Sequence, residues 1–120
     1  MNYDDQNIFA RIIRGEIPCT RLYDDEFVMA FADIRPQAPV HLLVIPKQAF
    51  VSAQDFGERA TAAQTQAIFR AVASLARDHG VAESGYRLIS NCGLNGHQEV
   101  PHFHLHLLAG RPLGAMVARS

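Results

Sequence analysis

The sequence predicts an α+β fold built on an antiparallel sheet. Short apolar runs bounded by turn residues recur along the chain, and one long alanine-rich stretch has helical spacing. The two kinds of segment do not follow the strict βαβ alternation that a parallel sheet requires.

Taken in order, Ile8, Phe9, Ile12 and Ile13 recur at helical spacing, and Gly15 and Pro18 close the segment. A short amphipathic helix is predicted over Asn7 to Arg14. Two apolar runs, Thr20 to Tyr23 and Phe27 to Ala32, flank Asp24-Asp25-Glu26 and predict a hairpin. Residues 33–39, with Pro36 and Pro39, then break regular structure, because proline lacks an amide donor and restricts its predecessor. His41 to Ile45 is short and apolar, and predicts a buried strand.

Asp55-Phe56-Gly57-Glu58 has the form of a capping box and predicts the start of the longest helix. Ile68, Phe69, Val72, Leu75 and Ala76 fall on one face of it, and it ends near His79-Gly80. Tyr86 to Ser90 predicts another strand, Asn91 to Gly96 a turn-rich loop, and His102 to Leu108 the last strand.

Length and composition narrow the function. A chain of 120 residues suits one domain, and 48% hydrophobic with 19% charged residues fits a folded globule. The net charge is −1 and no basic cluster stands out, so neither nucleic acid nor an anionic membrane is an expected partner. No run reaches the roughly 18 apolar residues of a membrane span. The opening Met1-Asn2-Tyr3-Asp4-Asp5 has no signal-peptide pattern, and Cys19 and Cys92 form no CxxC pair. A cytoplasmic location with reduced thiols is expected, although the spacing is also compatible with a single bridge.

The segment Pro101-His102-Phe103-His104-Leu105-His106-Leu107-Leu108 carries the chemistry. Along a strand, side chains alternate faces, so His102, His104 and His106 share one side and Phe103, Leu105 and Leu107 the other. The imidazoles would repeat every ~6.6 Å, a row suited to a phosphate and its neighbours. Neutral imidazole is a nucleophile near pH 7, and protonated imidazole donates to an anionic oxygen. The same row has two other readings: partly exposed surface groups, or zinc ligands, although no acid or cysteine within the strand completes a metal site. Asn91, Gly93, Asn95 and Gly96 precede the row, and glycines let backbone amides approach an oxyanion.

With these residues in view, the chain resembles the histidine triad (HIT) family, in its Hint-type phosphoramidase branch. The likeness extends through Ile8-Phe9 with Ile12 to Pro18, Asp33 to His41, Val44 to Lys47, Gly85 to Leu88 and Gly110 to Leu113, nearly the whole chain. It implies a five-stranded antiparallel sheet with one long and one short helix, dimerising into a continuous ten-stranded sheet.

It also implies a hydrolase that cleaves the P–N bond of purine nucleoside phosphoramidates, with no cofactor and no metal. His104 would be the nucleophile, forming a nucleotidyl-histidine that water resolves. His106 would contact phosphate oxygens, and His102 and His41 would hold the hydrogen-bond network. Asn91 and the amide of Val100 would help hold the phosphate. Asp33 would accept bonds from ribose hydroxyls, as an ionised carboxylate with acceptors only can. Ile8, Phe9, Ile12, Phe31 and Ile34 would line the base pocket.

Three positions depart from the family pattern. Pro101 stands where an aromatic is common, His97 where glycine is frequent, and Glu99 where many relatives carry serine. His97 is either a solvent-exposed loop residue or a fifth imidazole near the entrance. The charge of Glu99 disfavours a highly charged leaving group, and so favours phosphoramidate over dinucleoside polyphosphate. The alternatives are a dinucleoside polyphosphate hydrolase or phosphorylase of the same family, and a nucleotide-binding regulatory module with negligible turnover.

Overall fold

The computed structural model describes residues 2–117. Met1 of the opening segment lies outside them, as do residues 118–120. Eight elements follow one another: α1 (Ile8–Ile13), β1 (Tyr23–Asp24), β2 (Val28–Ala32), β3 (Val40–Pro46), α2 (Ala53–Arg59), α3 (Ala62–Asp78), β4 (Tyr86–Ile89) and β5 (Leu105–Ala109). The strands form one sheet in the order β1-β2-β3-β5-β4, and every pairing is antiparallel. No helix among the described residues is long and apolar enough to cross a membrane.

The period-2 alternation of the strands divides the interior. Val28, Ala30, Leu42, Val44, Leu105 and Leu107 point to one face, where Ile68, Ala71, Val72 and Leu75 of α3 cover them. Met29, Phe31, Leu43 and Ile45 point to the other and pack with Phe9 and Ile12 of α1. That second face also carries the site. Leu43 and Ile89 both lie opposite His106, so the three share a face, and His41 lies two residues from Leu43.

The helices depart from the predicted pair. Asn7, expected as the first residue of the helix, instead caps α1, accepting from the amide of Ala10 at 2.9 Å. The predicted long helix is two helices, however, and its capping box is not at Asp55-Glu58. Ser52 caps α2, and Thr61 with Gln64 forms the capping box of α3. Ala60 and Thr61 are both extended, which ends one helix and starts the next. Asp55 sits in the first turn of α2, where it accepts from the amide of Val51 and pairs with Arg59. Phe69 is also corrected: it is 57% exposed, while Ala67, Ile68, Ala71, Val72, Leu75 and Ala76 form the buried stripe. At 100° per residue, Phe69 lies just past the edge of that stripe.

The last strand begins at Leu105, not His102. The amide of His102 donates to the carbonyl of Val100 and that of Phe103 to Phe50, so this stretch has no ladder partner on β3. Phe103 still enters the helix-side core with Leu105 and Leu107, and the predicted division of faces survives. Cys19 and Cys92 are both exposed and unbridged.

Gly110, just past β5, has φ +100°, and a Cβ there would lie 2.8 Å from Cβ of Pro39. Both the backbone conformation and the space exclude a side chain. Gly110→Ala should therefore lower stability by roughly 1–3 kcal/mol. Urea unfolding checks this, and a variant as stable as the parent would contradict it.

A candidate active site of linked histidines

A cleft of about 490 Å³ opens on the α1 side of the sheet, where His41, His104 and His106 meet. His41 comes from β3 and His106 from β5, while His104 comes from the extended stretch just before β5. The rings of His104 and His106 lie 5.1 Å apart, and those of His41 and His106 5.2 Å apart. His102 is not in the cleft. Its ring is fully buried behind it, so the three histidines of the motif form a wall and a support rather than one open row.

The hydrogen bonds assign a tautomer to each ring, because a neutral imidazole has one donor and one acceptor nitrogen. The Nε2 of His102 lies 2.8 Å from the carbonyl of Pro46, which can only accept, so Nε2 carries the proton. Its bare Nδ1 accepts from the hydroxyl of Tyr3 at 2.5 Å. The Nδ1 of His104 lies 2.7 Å from the carbonyl of His102 and must donate, which leaves its Nε2 bare.

The amide of Gln37 donates to Nδ1 of His41 at 3.0 Å, so His41 carries its proton on Nε2 and donates it to Nδ1 of His106 at 2.9 Å. His106 then carries its own proton on Nε2. A bare nitrogen on His104 thus stands beside an N–H donor on His106.

Burial favours the neutral forms of His102, His104 and His106. It lowers the pKa of His102 from 6.5 to about 4. His106 is also lowered to about 4, chiefly by burial and then by the neighbouring imidazoles of His104 and His41. His104 is lowered by burial too, opposed by the carbonyl of His102 and the negative charges of Asp33 and Glu99.

Asp33, His41 and His106 bring potential ligand atoms within 4.8 Å of one another, the geometry of a metal site. The donor set does not fit a cation. His41 already accepts at Nδ1, so its Nε2 holds a proton where a metal would need a lone pair. The cluster is built as a hydrogen-bonded chain, with Oδ2 of Asp33 3.5 Å from that Nε2.

Of the other residues expected at the site, Phe9, Asp33, Asn91, Glu99 and Val100 line the cleft. Ile12 and Phe31 do not. They are buried beside Phe9 in the cluster behind it. Ile8 and Ile34 also lie outside the lining, at 45% and 90% exposed. Ile8 is one helical step from the inward-facing Phe9, and Ile34 sits in the turn after β2, where the Asp33 carboxylate caps the amide of Arg35.

The loop before the motif is braced by bonds within itself while Asn91 still lines the cleft. The amide of Gly93 donates to Oε1 of Gln98, and Nδ2 of Asn91 donates to the carbonyl of Gly96. His97 lines the cleft mouth, exposed and paired with Glu99 at 3.0 Å, with the positive φ of +58° that its glycine-like position requires.

Sequence reasoning missed Arg35, Gln37, Leu43, Ile89 and Leu108 as lining residues. Leu43, Ile89 and Leu108 could have been found from the sheet register, which places them beside His41 and His106. No local signal marks Arg35 or Gln37.

Residues 14–113 match the HIT domain family model. A HIT-like protein of Azospirillum brasilense is 56% identical over 98% of this chain and 97% of its own length. The purine nucleoside phosphoramidase of Escherichia coli is 47% identical over 97% of each chain. Among solved structures, a HIT family hydrolase from Clostridium thermocellum superposes with a TM-score of 0.88 at 42% identity, covering 96% of this chain and 99% of that one. With the histidine motif, the sheet and these likenesses in agreement, the chain belongs to the HIT domain family.

Proposed function

We propose that this protein hydrolyses the P–N bond of purine nucleoside 5′-phosphoramidates and releases the nucleoside monophosphate. The observation that carries the reading is the bond from Nδ1 of His104 to the carbonyl of His102, which leaves Nε2 bare on a ring that lines the cleft. A histidine held in one tautomer is ready to attack without first losing a proton. The 47% identity to a purine nucleoside phosphoramidase supports the substrate class.

In the first step, Nε2 of His104 forms a bond to the α-phosphorus as the P–N bond breaks. The electron pair of that bond leaves on the amine, which takes a proton from solvent. In the second step, water attacks the nucleotidyl-histidine and releases a proton to solvent, the P–N bond to His104 breaks with its electron pair returning to Nε2, and nucleoside monophosphate departs. The Nε2–H of His106 donates to phosphoryl oxygens as charge develops there. His41 holds His106 in that tautomer. Asp33 receives the ribose hydroxyls, with Oδ1 already bonded to the amide of Arg35 and Oδ2 turned toward His41.

The reading includes a homodimer. β4 leaves one edge of the sheet open, and pairing two such edges would extend five strands to ten.

Mass spectrometry of protein quenched during turnover of adenosine 5′-phosphoramidate tests the reaction class. A nucleotide-sized adduct on His104 is expected, and turnover with the adduct on another residue, or on none, would overturn the assignment.

A further inference from the structure

The residues that hold the nucleophile have no sheet ladder to hold them. β5 starts at Leu105, and the histidine before it is positioned by the carbonyl of His102. That carbonyl is in turn fixed by the ring of its own residue, which is fully buried and clamped from two sides. On one side is the carbonyl of Pro46, at the end of β3. On the other is the hydroxyl of Tyr3, 2.5 Å from Nδ1, with the two rings edge-to-face at 5.6 Å.

We infer that Tyr3 is a positioning residue for His104, acting through the ring and carbonyl of His102. The carbonyl of Pro46 takes the only proton of a neutral His102, so Nδ1 needs a donor, and the Tyr3 hydroxyl is its partner among the described residues. Without that donor, Nδ1 is a buried acceptor left empty, or the proton moves to it and the bond to Pro46 is lost. Either change loosens the carbonyl on which the tautomer of His104 depends.

The N-terminal segment is built to keep the hydroxyl in place. Nδ2 of Asn7 donates to the carbonyl of Asp4 at 2.7 Å, and Nη1 of Arg14 donates to that of Asp5 at 2.7 Å, so residues 4–5 are tied to α1. Burial also raises the pKa of Tyr3, which keeps the hydroxyl a donor throughout the neutral range. A segment before the first element thus reaches the support behind the nucleophile, and the histidine motif gives no hint of it.

The inference rests on the reading of His104 as nucleophile, and its test separates the two. Long-range ¹H–¹⁵N correlation NMR of the full chain reads the tautomer of each histidine directly, and turnover is measured on the same samples. In Tyr3→Phe, the Nδ1 resonance of His102 should move toward that of an unbonded lone pair, and His104 should pass from a single Nδ1–H form to a mixture. The kcat should fall about threefold to tenfold, the size of one neutral hydrogen bond, with KM held within about twofold.

Placing 3-fluorotyrosine at position 3 keeps ring and hydroxyl but makes a stronger donor, and should shift the Nδ1 resonance of His102 the other way. This arm serves if the phenylalanine variant does not fold. Unchanged His102 and His104 resonances overturn the inference, as does a changed spectrum with kcat intact. Absence of turnover in the unaltered protein would sink the phosphoramidate reading instead, and the tautomer comparison would still decide the role of Tyr3.

Discussion

His104→Ala should reduce turnover of adenosine 5′-phosphoramidate by on the order of a thousandfold or more, while nucleoside monophosphate still binds within a few-fold of the parent affinity. The reason is the division of labour in the cleft. His104 supplies the bare nitrogen, whereas Asp33, His106 and the apolar wall that includes Leu43 and Ile89 remain in place without it. Removing the attacking atom takes away an interaction made only in the transition state.

His106→Ala should cost less, on the order of a hundredfold, because it removes one donor to developing charge and leaves the nucleophile. Steady-state kinetics with calorimetric binding of the monophosphate separates these outcomes. Parent-like turnover in His104→Ala would remove the basis of the proposed chemistry, and so would a larger loss from His106→Ala than from His104→Ala.

The protein should lose stability steeply as pH falls from about 6.5 toward 4. His102 and His106 have their folded-state pKa lowered from 6.5 to about 4, mainly by burial, so between those values the unfolded chain binds more protons than the folded one. Stability then rises with pH across the window and is lost on acidification. For the fully buried His102 the shift corresponds to roughly 3 kcal/mol at neutral pH, and His106 adds in the same direction with a smaller effect because it is partly exposed.

Carboxylates act lower on the scale: Asp55, held at about 2 chiefly by Arg59, loses its contribution only as pH falls below about 3.8. Urea unfolding at pH 7.5, 6 and 5 checks the histidine window. A flat profile between pH 7.5 and 5 would contradict it. His102→Gln should flatten the profile while lowering stability at pH 7.5, since it removes both the buried titrating ring and its two bonds.

Several parts of the fold were legible because their cause is local. The start of α1 near Asn7, the apolar run of β3, and Gly80 at φ +70° after the C-cap His79 each depend on residues within a turn or a strand. Local patterns failed where several fitted equally well. Ser52-x-x-Asp55, Asp55-x-x-Glu58 and Thr61-x-x-Gln64 all have the spacing of a helix start, and the structure uses the first and third. Asp55 is drawn away from capping by Arg59 and the amide of Val51, and Arg59 is held in turn by the carbonyl of Ala49. Spacing cannot rank such contacts.

The site divides in the same way. The order of residues from 102 to 108 is enough to set imidazoles against core residues, because alternation is a property of any extended chain. By itself, then, the sequence determined the fold class, the apolar partition and the identity of the histidines beside the cleft. The tertiary structure alone decided that the ring of His102 is buried behind the cleft, that Ile34 faces solvent, and which nitrogen of each ring is bare. Those outcomes depend on carbonyls, amides and a hydroxyl brought from Pro46, Gln37 and Tyr3, and a hydrogen bond exists only where folding places two distant groups within reach.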